Sequence, residues 1–232
     1  MPFFYYYYDP YYLLIIIGAL ISLAASAKVQ STFRKYNQVR SRTGLTGAEA
    51  ARRLLQAQGI YDVSIQRVSG NLTDHYDPKN KILRLSDSTY GSASVAAIGV
   101  AAHECGHAMQ HAEGYAPLSF RTALVPVANF GSQFSIILIV AGLIFGQVLV
   151  EVGILLFCAV VLFQLVTLPV EFNASRRALR LLGDNGILYD EEVGMTRKVL
   201  TAAALTYVAS ALMSILQLLR LVLLFGGRRR DD

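Results

Sequence analysis

Two histidines and a glutamate form the most chemically specific pattern in the sequence, His103-Glu104-Cys105-Gly106-His107. On an α-helix, residues four apart differ by about 40° around the axis, so both imidazoles leave the same face one turn apart. Their neutral nitrogens can then approach one zinc ion at about 2.0–2.1 Å. Glu104, offset by about 100°, would lie beside that ion and accept a proton from its water. The H-E-x-x-H pattern therefore predicts metal-assisted hydrolysis of an amide bond.

The composition indicates that a membrane protein carries this pattern. Of the 232 residues, 54% are hydrophobic and only 16% are charged, whereas soluble domains have about 25% charged residues. The two cysteines, Cys105 and Cys158, are too few for a disulfide framework. We interpret the net charge of +5 as Lys and Arg retained on the cytoplasmic side of a membrane, and we expect no nucleic-acid partner.

Long uncharged runs predict about four transmembrane helices. They cover residues 11–27, 134–150, 152–168 and 199–219. Aromatic residues at 3–8 precede the first run, and we interpret them as an interfacial anchor. A cleaved signal peptide is the rival hypothesis, but no Lys or Arg precedes Lys28. The second and third runs predict a helical hairpin, because only Glu151 separates them and Gly146 lies near the expected turn.

Residues 28–131 have the pattern of a soluble domain. A capped helix is expected from Thr46 to Gly59, followed by short strands at 63–68 and 81–85. Turns are expected at 69–71 and 75–80, and a helix rich in small residues at 92–110 carries the H-E-x-x-H pattern. We expect strand 81–85 to be an edge onto which an extended peptide adds.

The distribution of positive charge predicts the topology. Twelve Lys and Arg residues fall between Lys28 and Arg121, five between Arg176 and Lys198, and four from Arg220 onward. The positive-inside rule therefore places residues 28–131 and 169–198 in the cytoplasm, with a multi-pass protein in the inner (plasma) membrane. The arginine tail opposes this arrangement, so the last helix is either a full span, which we favour, or an interfacial or re-entrant segment.

These patterns divide the chain into five predicted segments. They are residues 1–27, an anchor and transmembrane helix; 28–131, a cytoplasmic metalloprotease domain; 132–168, a transmembrane hairpin; 169–198, a cytoplasmic segment with the third zinc ligand; and 199–232, a transmembrane helix with a basic tail.

A catalytic zinc ion needs a third protein ligand and keeps one open position for water. His111 continues the one-turn spacing, but three successive turns extend too far to meet one tetrahedral ion, so we interpret it as a surface or supporting residue. Gln110 and Glu113 occupy the positions where a longer motif would have a glycine and another histidine.

Glu171 is the favoured third ligand, because the hairpin returns the chain to the cytoplasmic side immediately before it. Glu151 lies at the far end of the hairpin, and Glu113 lies on another face of the helix. Asp184 and Asp190 are weaker rivals that we assign to a turn and to a helix N-terminus. Alternatively, Glu171 pairs with a neighbouring arginine.

Three stretches resemble a known family, and the similarity extends over nearly the whole chain. They are residues 69–78 (SGNLTDHYDP), 99–108 (GVAAHECGHA) and 167–177 (TLPVEFNASRR). The chain resembles the YugP-like family of bacterial membrane zinc metallopeptidases, which is distantly similar to gluzincins. The resemblance implies a mainly α membrane protein with a small α+β gluzincin-like domain. It also implies one Zn²⁺ ion per chain on His103, His107 and Glu171, with Glu104 as the general base.

Two features of the predicted site stay open. The family often has aspartate where this chain has Asn173; if that carboxylate orients a ligand histidine, asparagine would hold the geometry with less charge. A donor for the developing oxyanion is also needed. The candidates are His75, Tyr115, Arg176, Arg177 and Tyr207.

Three functions compete at this point. The first is a zinc endopeptidase acting at the cytoplasmic membrane face on peptides or membrane proteins. The second is a non-proteolytic membrane scaffold with a structural zinc site, and the third is a helical membrane module without metal. The intact H-E-x-x-H pattern favours the first. The bilayer is an expected partner in each case, and a homo-oligomer or a membrane complex is compatible with the sequence.

Overall fold

A computed structural model describes residues 9–225, which form seven helices and three short strands. The helices are α1 (Tyr12–Asn37), α2 (Gly47–Ala57), α3 (Asp87–Tyr90), α4 (Val95–Ala112), α5 (Ala116–Phe145), α6 (Gln147–Asp184) and α7 (Asp190–Phe225). The strands are β1 (Ser64–Val68), β2 (His75–Asp77) and β3 (Ile82–Ser86). The aromatic anchor predicted at 3–8 and the arginine tail lie outside the described residues.

Four helices, α1, α5, α6 and α7, are long and apolar enough to cross a membrane. The chain is therefore a mainly helical membrane protein, as predicted. The hairpin turn lies at Gly146, as expected, but α5 ends at Phe145 and α6 begins at Gln147, so Glu151 lies inside a helix rather than between the two spans. Gly146 forms the turn with a φ of +131°, a conformation that only glycine adopts without strain.

The described chain divides into two compact units. One contains residues 9–25, 120–168 and 206–225, which include most of the apolar helical sequence. The other contains residues 26–119 and 169–205, and it holds the strands and the H-E-x-x-H helix. Helix α5 begins at Ala116, so the boundary that we predicted at 131 falls inside a helix.

The three strands of the second unit form one sheet in the order β1-β3-β2. Strand β3 is parallel to β1 and antiparallel to β2. Two sequence expectations were wrong here. Residues 75–77 form strand β2 rather than part of a turn, because they pair with residues 82–84. Strand β3 is central rather than an edge, and its fully buried Leu83 and Leu85 belong to the core.

Helix α4 is held in the second unit by close helix packing. Ser94 caps its N-terminus by accepting a hydrogen bond from the backbone N–H of Ala97 at 3.1 Å. Gly106 lies so close to α6 that a Cβ atom there would stand 2.6 Å from the carbonyl oxygen of Ala174. Because glycine lacks that atom, the helix that carries the histidines can lie directly against the segment that carries Glu171.

Candidate metal centre

Three side chains meet at one point between α4 and α6. His103 Nε2 lies 3.1 Å from Glu171 Oε2 and 3.2 Å from His107 Nε2, and His107 Nε2 lies 3.5 Å from the same carboxylate oxygen. The chain thus brings together the three residues that the sequence suggested as metal ligands, and they could hold a metal ion. All three side chains are at least 87% buried.

The spacing of these donors matches a tetrahedral zinc site. Ligand atoms at about 2.0–2.1 Å from a tetrahedral ion stand about 3.3–3.4 Å from one another. The three observed separations, 3.1, 3.2 and 3.5 Å, bracket that value. Two imidazole nitrogens and one carboxylate oxygen are also the ligand types of catalytic zinc sites. The residues therefore fit the ion in both chemistry and distance.

The tautomer of His107 follows from its contact with Gln110. The side-chain nitrogen of Gln110 donates to the backbone carbonyl of Val170 at 2.8 Å, so its oxygen must face His107. His107 Nδ1 then donates its proton to Gln110 Oε1 at 3.1 Å. This leaves the lone pair of His107 Nε2 directed at the centre of the site.

His103 has a corresponding contact on its other ring nitrogen. His103 Nδ1 lies 3.0 Å from Ser175 Oγ, which can accept its proton. With both Nδ1 atoms protonated, two imidazole lone pairs and the Glu171 carboxylate face each other in a buried space. Three acceptors at such distances need a cation or an added proton among them.

The charges in the site explain two shifted pKa values. Burial alone would raise the pKa of Glu171, but the close contacts of its carboxylate with His103 and His107 hold that pKa well below its usual range. Burial would lower the pKa of His107, but its bond to Glu171 and the charge of Glu104 raise it. Glu171 is thus ionised and attracts positive charge, which a metal ion can supply.

Glu104 lies beside this group without a protein partner. It is 8% exposed, and within residues 9–225 no hydrogen bond or ion pair engages its carboxylate. Its charge still acts on His107, whose pKa it raises. Glu104 is therefore available to a water or substrate next to the three donors.

The other sequence candidates lie in different contacts. The exposed His111 bonds to the Tyr76 hydroxyl through Nδ1 at 2.9 Å, which fits its interpretation as a surface or supporting residue. Glu113 forms an ion pair with Arg177 at 2.6 Å. Asp184 lies at the end of α6, 3.7 Å from Arg180, and Asp190 begins α7. None of these belongs to the three-donor group found among the described residues.

Asn173 supports the site through other side chains. Its oxygen accepts hydrogen bonds from Gln110 Nε2 at 3.0 Å and from Arg177 Nε at 2.7 Å. Within the described chain it makes no hydrogen bond to either histidine, so an effect of asparagine in place of aspartate would have to pass through Gln110. The roles of Gln110 and Ser175 were not predicted from the sequence. The available signal was helical spacing, because Gln110 follows His107 by three residues and Ser175 follows Glu171 by four.

The predicted oxyanion donors are partly committed to other groups. Arg177 pairs with Glu113 and lies 5.8 Å from the ring of Tyr115. His75 lies in β2, where its Nδ1 contacts the carbonyl of Thr73 at 2.9 Å. These contacts assign no oxyanion role.

Comparisons with known proteins agree with the chemistry of this centre. The chain is 48% identical over 213 residues to the "Putative membrane protease YugP" of Bacillus subtilis (strain 168), covering 91% of this chain and 95% of that protein. No solved structure matches the chain. Residues 11–226 match the family described as "Putative neutral zinc metallopeptidase". The chain therefore belongs to this zinc metallopeptidase family.

Proposed function

We propose that the protein is a zinc-dependent endopeptidase in which His103, His107 and Glu171 hold one zinc ion and Glu104 is the general base. The proposal rests on one observation above all. Three donor atoms stand 3.1–3.5 Å apart in a buried site, as the ligands of one tetrahedral ion would. The partnerless carboxylate of Glu104 beside them supports an enzymatic rather than a structural site.

The chain's own residues would each have a defined part in peptide hydrolysis. A bound zinc ion supplies a Lewis acid, which lowers the pKa of water to about 7 and polarises the scissile carbonyl. Glu104 takes a proton from the attacking water and delivers it to the leaving nitrogen as the C–N bond breaks. Gln110 and Ser175 keep the Nδ1 protons of the two histidines in place.

The edge of strand β2 is the proposed binding position for an extended substrate. Among the described strands, β2 pairs only with β3, which leaves its other edge open. Tyr76 of β2 contacts His111, one turn beyond His107 along α4. A peptide that adds to β2 as a further strand would thus lie near the zinc helix. This edge replaces strand 81–85, which is central.

The alternative function, a scaffold with a structural zinc ion, is less well supported. Structural zinc sites close the tetrahedron with four protein ligands. The group found in residues 9–225 has three, which leaves a position for water. The contacts of Asn173 do not favour the scaffold either, because its side chain holds Gln110 rather than a histidine.

We assign the active site to the cytoplasmic face of the inner membrane. Seventeen of the 21 Lys and Arg residues lie between Lys28 and Arg121 or between Arg176 and Lys198. Such an excess is typical of cytoplasmic segments. Peptides and membrane proteins reachable from that face are the proposed substrates.

Cleavage of unfolded casein by the purified full-length protein tests this function. We expect Glu104→Gln to keep its zinc ion and to lose activity by about 10²–10⁴-fold, the usual contribution of a general base. Glu191→Gln makes the same change at an exposed glutamate paired with Arg42 and should be fully active. Equal activity of Glu104→Gln and the wild type would refute the assigned base.

A further inference from the structure

A basic cavity of about 590 Å³ lies in the second unit and shares no lining residue with the metal centre. Helix α1 contributes Lys28 and Lys35, and helix α7 contributes Arg197 and Lys198. On α1 the two lysines are seven residues apart, so they lie on the same face of the helix. The volume is within the range of about 300–1,000 Å³ that ligand sites occupy.

The four cations have no carboxylate to neutralise them. No Asp or Glu lines the cavity, and within residues 9–225 none of the four forms an ion pair. Six other cations of the same unit have carboxylate partners. These pairs are Arg42–Glu191, Arg67–Asp87, Lys81–Asp62, Arg84–Asp77, Arg177–Glu113 and Arg180–Asp184. Four like charges around one space give it a positive potential that attracts an anion.

Two largely buried residues with hydroxyl groups, Thr32 and Tyr36, also line the cavity. Thr32 is 9% exposed and Tyr36 is 8% exposed, and both lie on the α1 side. In the part of the chain that the structure describes, neither hydroxyl makes a hydrogen bond to another residue. These two hydroxyl groups are therefore donors available to an occupant of the cavity.

The positions of these residues along their helices indicate the level of a membrane surface. Lys28 is the first charged residue after the apolar run at 11–27, and Lys198 is the last before the apolar run at 199–219. Thr201, Ala202 and Leu205, at the start of the second run, complete the α7 side of the cavity. Cations next to apolar lining match a phosphate group that continues into acyl chains.

We propose that this cavity binds the headgroup phosphate of an anionic phospholipid. Lys28, Lys35, Arg197 and Lys198 supply the charge, and Thr32 and Tyr36 donate hydrogen bonds to the phosphate oxygens. The apolar residues at one end favour a lipid over a soluble phosphate, because only a lipid has a chain to place there.

Lipid titration of the full-length protein in neutral detergent tests the proposal. Native mass spectrometry would count the bound molecules of short-chain phosphatidylglycerol. Phosphatidylcholine of equal chain length is the comparison lipid, and glycerol phosphate is the soluble phosphate tested as a competitor. The Lys28→Gln/Arg197→Gln variant removes two cavity charges. Its matched control is Lys79→Gln/Arg53→Gln, which also removes one lysine and one arginine, but at positions that do not line the cavity. Thr32→Val removes one hydroxyl without a change of charge.

We expect the wild type to bind phosphatidylglycerol at least tenfold more tightly than phosphatidylcholine. The cavity double variant should lose about tenfold in affinity or more, the control should stay within about twofold, and Thr32→Val should weaken binding by several-fold. Zinc content equal to the wild type would show that the variants are folded. The proposal is wrong if the cavity variant binds like its control, if both lipids bind equally, or if glycerol phosphate displaces the lipid.

Discussion

Gln110 orients His107: the imidazole Nδ1 donates a hydrogen bond to the amide oxygen of Gln110 at 3.1 Å. The orientation of that amide is fixed in turn, since its nitrogen donates to Val170 O and Asn173 Oδ1. Gln110 is completely buried. Gln110, which is not one of the three metal-binding candidates, therefore directs the lone pair of His107 Nε2 towards His103 and Glu171.

Removal of this acceptor should weaken metal binding. Gln110→Met keeps the length of the side chain but cannot accept the Nδ1 proton of His107. We expect zinc affinity to fall by about 10–100-fold, as is usual when the support of a metal-binding histidine is lost. Competition with a chromogenic chelator would measure this. Asn173→Asp is the matched control, because it keeps an acceptor for both Gln110 and Arg177. If Asn173→Asp lowered zinc affinity as much as Gln110→Met does, this account would be contradicted.

The close approach of α4 to α6 gives a second prediction. A Cβ atom at Gly106 would stand 2.6 Å from the backbone oxygen of Ala174, which cannot rotate away as a side chain can. Gly106→Ala should cost about 1–3 kcal/mol of unfolding free energy and move Glu171 away from the histidines, which lowers zinc affinity. Gly194→Ala, where no atom lies within 4 Å, should change neither quantity. Thermal unfolding and chelator competition would measure both, and equal behaviour of the two variants would count against the packing argument.

The sequence was sufficient to predict much of the fold, because apolar runs and helical periodicity are local signals. They identified the four long apolar helices and the helix that carries His103 and His107. Strand β2 was missed because His75–Asp77 precedes a proline in a polar stretch, and its pairing with β3 depends on a distant segment. The role of Ser175 was missed for the same reason, since it contacts His103 on another helix. Gln110 lies three residues after His107 on the same helix, but the orientation of its amide depends on Val170 of α6, which no local pattern encodes.

Asp77 predicts a pH-dependent contribution to stability. Hydrogen bonds from the Asn80 side chain, from Arg84 and from the Asn80 backbone hold the pKa of Asp77 well below its usual range. A carboxyl group with a lowered pKa stabilises the folded chain above its unfolded-state pKa, and this contribution is lost as the pH falls through the folded-state value. Asp77→Asn should therefore lower the melting temperature at pH 7, and its difference from the wild type should shrink below about pH 4.

Metal-free protein should be used for this comparison, because acid also releases zinc. Asp184→Asn is the control, since the Asp184–Arg180 pair is exposed on both sides and should contribute little at any pH. A destabilisation by Asp77→Asn that is the same at pH 7 and pH 3 would show that the charge of Asp77 is not the cause.

The side of the membrane can be tested at the tip of the sheet. Lys79 follows β2 and is exposed, so Lys79→Cys should react with a membrane-impermeant maleimide only after the cells are permeabilised. Native Cys105 should not interfere, because burial and the charge of Glu104 raise the pKa of its thiol. Native Cys158 is replaced by serine in the test protein. Equal labelling of intact and permeabilised cells would place the sheet outside.

Zinc content of the purified full-length protein tests the central claim most directly. After loading with zinc and removal of excess metal, the wild type and Asp184→Ala should each hold about one ion per chain, and Glu171→Ala should hold almost none. A wild type that takes up no zinc would contradict the account. So would an Asp184→Ala variant that loses the ion while Glu171→Ala keeps it.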